Sequence, residues 1–210
     1  RGPAPIRRPG DARARAIASG AQHSCAGTED GAAWCWGGNA DGQLGDGRRT
    51  ASAPPRRVRG DAAYTTIPAG GSHTCALTPA GEIDCWGNDD FGQLGLGGRR
   101  AADRPGRVSG DVRARSLTLG GMHSCALTAD GSAWCWGSNS AGQLGDGSVA
   151  SRDRPVRVDG GPFAALSAAF AHTCGALTDG RIACWGSNAR YQLGDGRQAP
   201  VARPLVVPLP

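Results

Sequence analysis

Lysine is absent from this chain: all 23 basic residues are arginine. A phosphate-binding glycine loop closed by lysine is therefore excluded, however abundant glycine is. Aromatic residues make up only 5% of the chain. No stretch approaches the roughly 20 consecutive apolar residues that cross a bilayer as a helix. An initiating methionine and an apolar leader segment are also missing, so the sequence reads as a mature or excised piece.

Glycine, by contrast, is plentiful at 35 of 210 residues, and hydrophobic residues reach 39%. Such a composition suits many short strands joined by tight turns better than it suits helices. The net charge of +5 and a pI near 9.0 permit contacts with phosphate or other anions. Because 18 acidic residues are interspersed with the arginines, solvated loop charge is the preferred reading.

One phrase recurs four times: His23, Cys25, Cys35, Trp36 and Gln43, then His73/Cys75/Cys85/Trp86/Gln93, His123/Cys125/Cys135/Trp136/Gln143 and His172/Cys174/Cys184/Trp185/Gln192. The period is about 50 residues, a length typical of a propeller blade or solenoid repeat whose units bury their faces on one another. We divide the chain into repeats at 11–60, 61–110, 111–160 and 161–210, all in one domain.

In the third unit the pattern predicts strands over Ala114–Leu119, His123–Thr128 and Ala133–Gly137, with Ala129-Asp130-Gly131 as a three-residue hairpin loop closed by a left-handed glycine. That register sets Cys125 opposite Cys135, within disulfide reach. The same rule pairs Cys25 with Cys35 and Cys75 with Cys85. In the fourth unit Leu177 and Thr178 fall one place later, which predicts a two-residue turn at Asp179-Gly180 and a β-bulge at Gly175 that keeps Cys174 opposite Cys184. A Pro-x-Arg-Val segment (Pro55–Val58, Pro105–Val108, Pro155–Val158, and loosely Pro204–Val207) reads as a fourth, edge strand begun by proline. Residues 1–10 align with the same segment, as the trailing strand of a preceding unit.

The phrase Gly-Gly-x-His-Ser-x-Ala-Leu-Thr-x-x-Gly, followed by Trp-Gly-x-Asn-x-x-Gly-Gln-Leu-Gly, resembles the regulator of chromosome condensation (RCC1) repeat over essentially the whole chain. The resemblance implies an all-β, β-propeller-type array of four-stranded antiparallel blades. Here there are four, a partial or small propeller, where the family usually has seven. The chain departs from the pattern in its cysteine pair per unit, in Asp89 where asparagine is preferred, and in Tyr191 where glycine precedes Gln192. Relatives of this kind include exchange factors for a nuclear GTPase, chromatin binders and, in bacteria, an inhibitor of secreted enzymes. The exchange-factor role requires an inserted wedge hairpin and a reducing compartment, and neither is read here.

Eight regularly paired cysteines in a chain with a thin core read as a disulfide ladder, and so as an oxidising compartment, with a secreted, periplasmic or cell-surface protein; in the family it resembles, that implies a disulfide-bearing secreted variant of bacterial type. The rival reading is metal, since His123, Cys125 and Cys135 share one site, but Cys-x9-Cys matches no usual zinc spacing. No metal and no cofactor are expected. Trp36, Trp86, Trp136 and Trp185 read as core. The extra Trp34 and Trp134 share that face by strand alternation, and core packing is preferred for them over a ligand platform. No enzyme signature stands outside the repeated phrase. The leading expectation is a secreted scaffold that binds an unknown protein partner through blade loops. The alternatives are polyanion binding through Arg48, Arg49, Arg56, Arg57, Arg99, Arg100, Arg104 and Arg107, or self-association through exposed blade edges.

Overall fold

A computed structural model describes residues 13–208. The trailing strand expected within residues 1–10 lies outside the described residues. The described residues form four antiparallel sheets: β1 (Ala14–Ser19), β2 (His23–Thr28), β3 (Ala33–Gly37) and β4 (Ser52–Arg57); β5 (His73–Leu77), β6 (Ile83–Gly87) and β7 (Ala102–Arg107); β8 (Ala114–Leu119), β9 (His123–Thr128), β10 (Ala133–Gly137) and β11 (Arg152–Arg157); β12 (Phe163–Ala168), β13 (His172–Leu177), β14 (Ile182–Gly186) and β15 (Val201–Val206). Each sheet runs in sequence order, as a blade does. The first strand of the second blade is reduced to the isolated bridges Thr66↔Leu77 and Ala69↔Thr74. Pro68 stands between them without an N–H, where Ala18, Thr118 and Ser167 stand in the other blades, and a ladder bond is lost there.

All four disulfides form as the register requires, Cys25–Cys35, Cys75–Cys85, Cys125–Cys135 and Cys174–Cys184, each between directly opposed residues. The hairpin loop of the third blade closes as expected, with Gly131 at φ 82° and its N–H donating to the Thr128 carbonyl. The fourth blade corrects the expectation for its own loop. Pairing runs without a bulge from His172↔Gly186 to Ala176↔Ile182, and Leu177 N–H donates to the Arg181 carbonyl. The loop is again three residues, Thr178-Asp179-Gly180, and of these only Gly180 has positive φ, whereas a two-residue I′ turn needs two such residues. The physical reason is chain length: the cysteines are ten apart in this blade as in the others, so the same loop fits and the displaced threonine enters the turn. Gly175 lacks a side chain for a different cause, because a Cβ there would meet the Phe163 ring at 2.5 Å.

The edge strands also differ from expectation in their start. Each begins three residues before its proline, at Ser52, Ala102, Arg152 and Val201, so the proline sits inside an edge strand instead of at its first residue. β4, β7, β11 and β15 each pair on one side only, which leaves the missing N–H harmless.

The repeated polar residues hold blade to blade. The Gln43 carbonyl accepts from Thr74 Oγ1 at 2.8 Å and from Trp86 Nε1 at 3.0 Å, both in the next blade, and His23 Nε2 lies 2.9 Å from the same Thr74 hydroxyl. Gln93 with Ser124, Trp136 and His73 repeats this set, as does Gln143 with Thr173, Trp185 and His123. Each hydroxyl gives its one proton to the glutamine carbonyl, so the histidine Nε2 must carry the other proton and act as donor. His73 and His123 are fully buried and His23 nearly so. Gly20, Gly70 and Gly120 back onto these rings, and a Cβ on Gly120 would stand 2.2 Å from His123 Cε1.

The array is open. Among the described residues no hydrogen bond joins the fourth blade to the first, and His172, half-buried, finds no hydroxyl of a following blade. Trp36 at the other end is only half-buried, which corrects its assignment to the core, whereas Trp86, Trp136 and Trp185 are fully buried.

Candidate interaction groove and arginine rim

The eight arginines proposed for polyanion binding are held in different ways. Arg56 lies 3.6 Å from Asp46, Arg104 lies 3.8 Å from Asp103, and Arg107 meets both Glu82 and Asp84 at 2.7 Å. Arg49 and Arg99 reach across to the next blade and donate to the Ala101 and Ser151 carbonyls. Arg48, Arg57 and Arg100 are exposed and make no ion pair among the described residues.

The loop after each Cys-Trp-Gly is tied by its own asparagine. Asn39 Oδ1 accepts from Leu44 N–H at 3.0 Å while Nδ2 donates to Asp46, and Asn139/Asp146 and Asn188/Asp195 repeat the pair. In the second blade the acid has changed places: Asp89 stands for the asparagine and Leu96 for the aspartate. Asp89 is 1% exposed, and its two oxygens accept from the Leu94 and Arg100 N–H groups. Burial pushes its carboxyl up to about 6. A raised pKa means that Asp89 supports the fold in its neutral form, below pH about 4, and that this support is lost as pH rises through about 6. Asp89→Asn keeps the acceptor for the Leu94 N–H but turns an amide N–H toward the Arg100 N–H, so its expected effect is on the pH dependence: the change in stability from pH 5 to pH 8 shifts in favour of pH 8 by about 1–2 kcal/mol. Thermal unfolding at the two pH values checks this.

Tyr191 keeps the left-handed backbone of the glycine it replaces, at φ 60°. At Gly42, Gly92 and Gly142 a Cβ would press within 2.7 Å of Asp103, Asp153 or Ala202 in the following blade. Tyr191 meets no such strand and is 54% exposed.

An exchange of bulk between two strands distinguishes the blade junctions. Where the first strand offers an aromatic, Tyr64 or Phe163, the third offers Asp84 or Ala183; where the first offers Ala14 or Ala114, the third offers Trp34 or Trp134. Tyr64 and Phe163 are buried against Trp86 and Trp185, with ring centroids 6.2 and 5.7 Å apart, and Tyr64 Oη donates to Asp84. At the junction of the second and third blades the first strand offers Ala114, buried in the core cluster with Trp136, and Trp134 is half-buried. Trp134 lines a groove of about 800 Å3 there. Its walls are the Ser109–Arg113 crossing loop, the Thr128–Ser132 turn, Trp134, and Arg154 to Arg157 on the edge strand. Trp134 is therefore a half-buried groove wall, which corrects its assignment to the core, and Trp34 is half-buried as well. The paired columns Ala114/Trp134 and Phe163/Ala183 carry the signal in the sequence, but only once the first and third strands are known to share a face.

Two family models describing the regulator of chromosome condensation (RCC1) repeat match the chain, one at residues 14–43, 65–93, 115–143 and 163–192, the other at 30–77, 81–127 and 130–175. The comparison with curated protein sequences gave no match. Among solved structures, Prp20p from Saccharomyces cerevisiae is 21% identical with a TM-score of 0.87, over 97% of this chain and 52% of that one. Human WBSCR16 is 23% identical with a TM-score of 0.86, over 97% and 55%. The ectodomain of the Physcomitrella patens receptor kinase CR4 is 26% identical with a TM-score of 0.62, over 89% and 44%. The chain thus spans about half the length of these structures or less, and its blades follow the curvature of an RCC1 propeller. With a repeat model matching in every blade and the blades superposing on RCC1 propellers, the chain belongs to the RCC1 repeat family.

Proposed function

We propose that this chain is a non-enzymatic scaffold that works outside the cytosol and holds a partner protein through its blade loops and rim. The observation that carries the reading is where the repeated polar residues go. His23, Thr74, Gln43, Trp86, Asn39 and their counterparts are taken up in bonds between blades or within loops. Among the described residues, this leaves the positions that differ between blades, on the loops, the rim and the groove, to act on another molecule. Prp20p is described as binding Gsp1p and histones, which supports a protein partner by analogy. The CR4 relative is an ectodomain, and four disulfides with no free cysteine among the described residues fit an oxidising compartment. Among the described residues no helix is long and apolar enough to cross a membrane.

The unpaired Arg48, Arg57 and Arg100 favour a second reading, polyanion binding. Photo-crosslinkers placed at these positions separate the two. The scaffold reading expects a discrete, protease-sensitive adduct that survives about 0.5 M salt; the polyanion reading expects retention on heparin that falls steeply between about 0.05 and 0.2 M salt. Absence of any protein adduct from every position would sink the scaffold. Self-association through the uncovered first and fourth blade faces is the remaining reading, and native mass distinguishes it.

A further inference from the structure

We propose that the groove between the second and third blades binds a short acidic peptide segment of a partner protein, with an apolar side chain on Trp134 and flanking carboxylates on Arg154 and Arg157. This inference rests on the scaffold reading and names the partner's chemistry at one place.

The groove is a property of this junction. An aromatic from the first strand fills the corresponding space at the first-to-second junction, where Tyr64 is 5% exposed, and at the third-to-fourth, where Phe163 is fully buried. At the second-to-third junction the first strand carries Ala114 instead, and the Trp134 indole is half-buried on the groove wall. A half-covered indole offers a large, rigid apolar surface at little conformational cost, which is why such residues anchor interfaces. The volume, about 800 Å3, suits a few residues of extended chain better than a folded surface.

Charge selects the ligand. Arg107 and Arg113 are engaged with Glu82, at 2.7 and 2.8 Å. Arg154 and Arg157 are exposed and carry no ion pair among the described residues; Arg157 reaches only the Ser132 hydroxyl, at 3.3 Å. Arg157 lies directly across the sheet from Trp134, so a guanidinium borders the indole. Arg154 packs over Gly97 of the second blade, where a Cβ would stand 2.8 Å from its Nη2. Two exposed guanidinium groups beside an apolar platform match carboxylates spaced along a peptide. Asp111 and Asp130 line the same groove, so a continuous polyanion meets repulsion there, whereas a peptide can present backbone N–H groups to them.

The test is fluorescence anisotropy of the oxidised full chain with a fluorescein-labelled hexapeptide alternating glutamate and phenylalanine. Saturable binding is expected, with Trp134→Ala about tenfold weaker and R154E/R157E weaker still. The decisive variant is A114F/A126G/W134A. It recreates the Phe163/Gly175/Ala183 set that the fourth blade already packs, with glycine making room for the ring, so it is expected to fold, with unchanged circular dichroism, while losing the indole wall of the groove and the peptide. A peptide alternating lysine and phenylalanine is expected not to bind. Equal binding by the wild type and A114F/A126G/W134A, equal binding of the two peptides, or no binding of the acidic peptide would each overturn the inference. If loop crosslinks to a protein persist while peptide binding is absent, the groove fails and the scaffold stands; loss of both removes both.

Discussion

Reducing the four disulfides is expected to unfold this protein at temperatures where the oxidised form is fully native. Each bridge links cysteines ten residues apart across a hairpin. Closing so short a loop in the unfolded chain contributes about 2–3 kcal/mol per bridge, which for a chain of this size is roughly 4–12 °C in Tm. Four of them sum to about 10 kcal/mol, comparable with the whole stability of an ordinary domain. The sulfurs are also core atoms: Cys25, Cys75 and Cys125 are fully buried beside thin apolar clusters of Leu, Ala and Trp. Removing Cys125–Cys135, enclosed on both sides by other blades, is expected to cost more than removing Cys174–Cys184, whose first cysteine is only half-buried. Thermal melts with and without dithiothreitol, together with alkylation of free thiols, decide the matter. A reduced form melting within a few degrees of the oxidised one would show that the bridges are incidental, and eight reactive thiols in the untreated protein would show that they never formed.

Much of this architecture was legible because it is local. Cysteine spacing, a loop glycine and strand alternation together fix which residues face each other, and in three blades they do so correctly. In the fourth, the Leu-Thr dipeptide suggested a shifted turn, but the distance from Cys174 to Gly180 equals that from Cys125 to Gly131, and the loop length governs. Pro68 interrupts the first strand of the second blade, and its effect depends on which side of the strand pairs. The functional surface was harder to read, because it depends on contacts between units. Whether an arginine is free or neutralised is decided by residues such as Glu82 and Asp84, more than 20 positions away from Arg107. Trp134 looked like a second core tryptophan because alternation gives its face but not how far residues of the neighbouring unit cover it. The Asp89/Leu96 exchange, by contrast, is written in the columns of the repeat, as a donor and its acceptor altered together.

Acid is expected to be the second strong destabiliser, acting through the histidine row. Burial holds His23 at about 4, His73 at about 3 and His123 at about 4, below the ordinary 6.5, with the neighbouring histidines adding to the depression of His73 and His123. The geometry gives the cause. Nε2 donates to a threonine or serine hydroxyl of the next blade, and Nδ1, buried without a partner in all three, faces the backbone of Gly20, Gly70 or Gly120. A proton on Nδ1 would place a charged N–H against that backbone with no acceptor. The folded state therefore prefers neutral imidazole and the unfolded chain binds more protons below pH 6.5, so this contribution is complete above about 6.5 and lost as pH falls towards 4. Each histidine changes stability by about 1.4 kcal/mol per pH unit in that window, and three together by about 4. Asp89 works in the opposite direction, so Asp89→Asn should steepen the acid loss. His73→Gln, whose amide can still donate to Ser124, is expected to weaken the fold at pH 8 but to remove about a third of the slope between pH 6 and 4.5. Urea midpoints measured across that range test this: a midpoint unchanged between pH 7.5 and 5, or a slope untouched by His73→Gln, would mean that protons enter elsewhere and that the blades are not joined through neutral histidines.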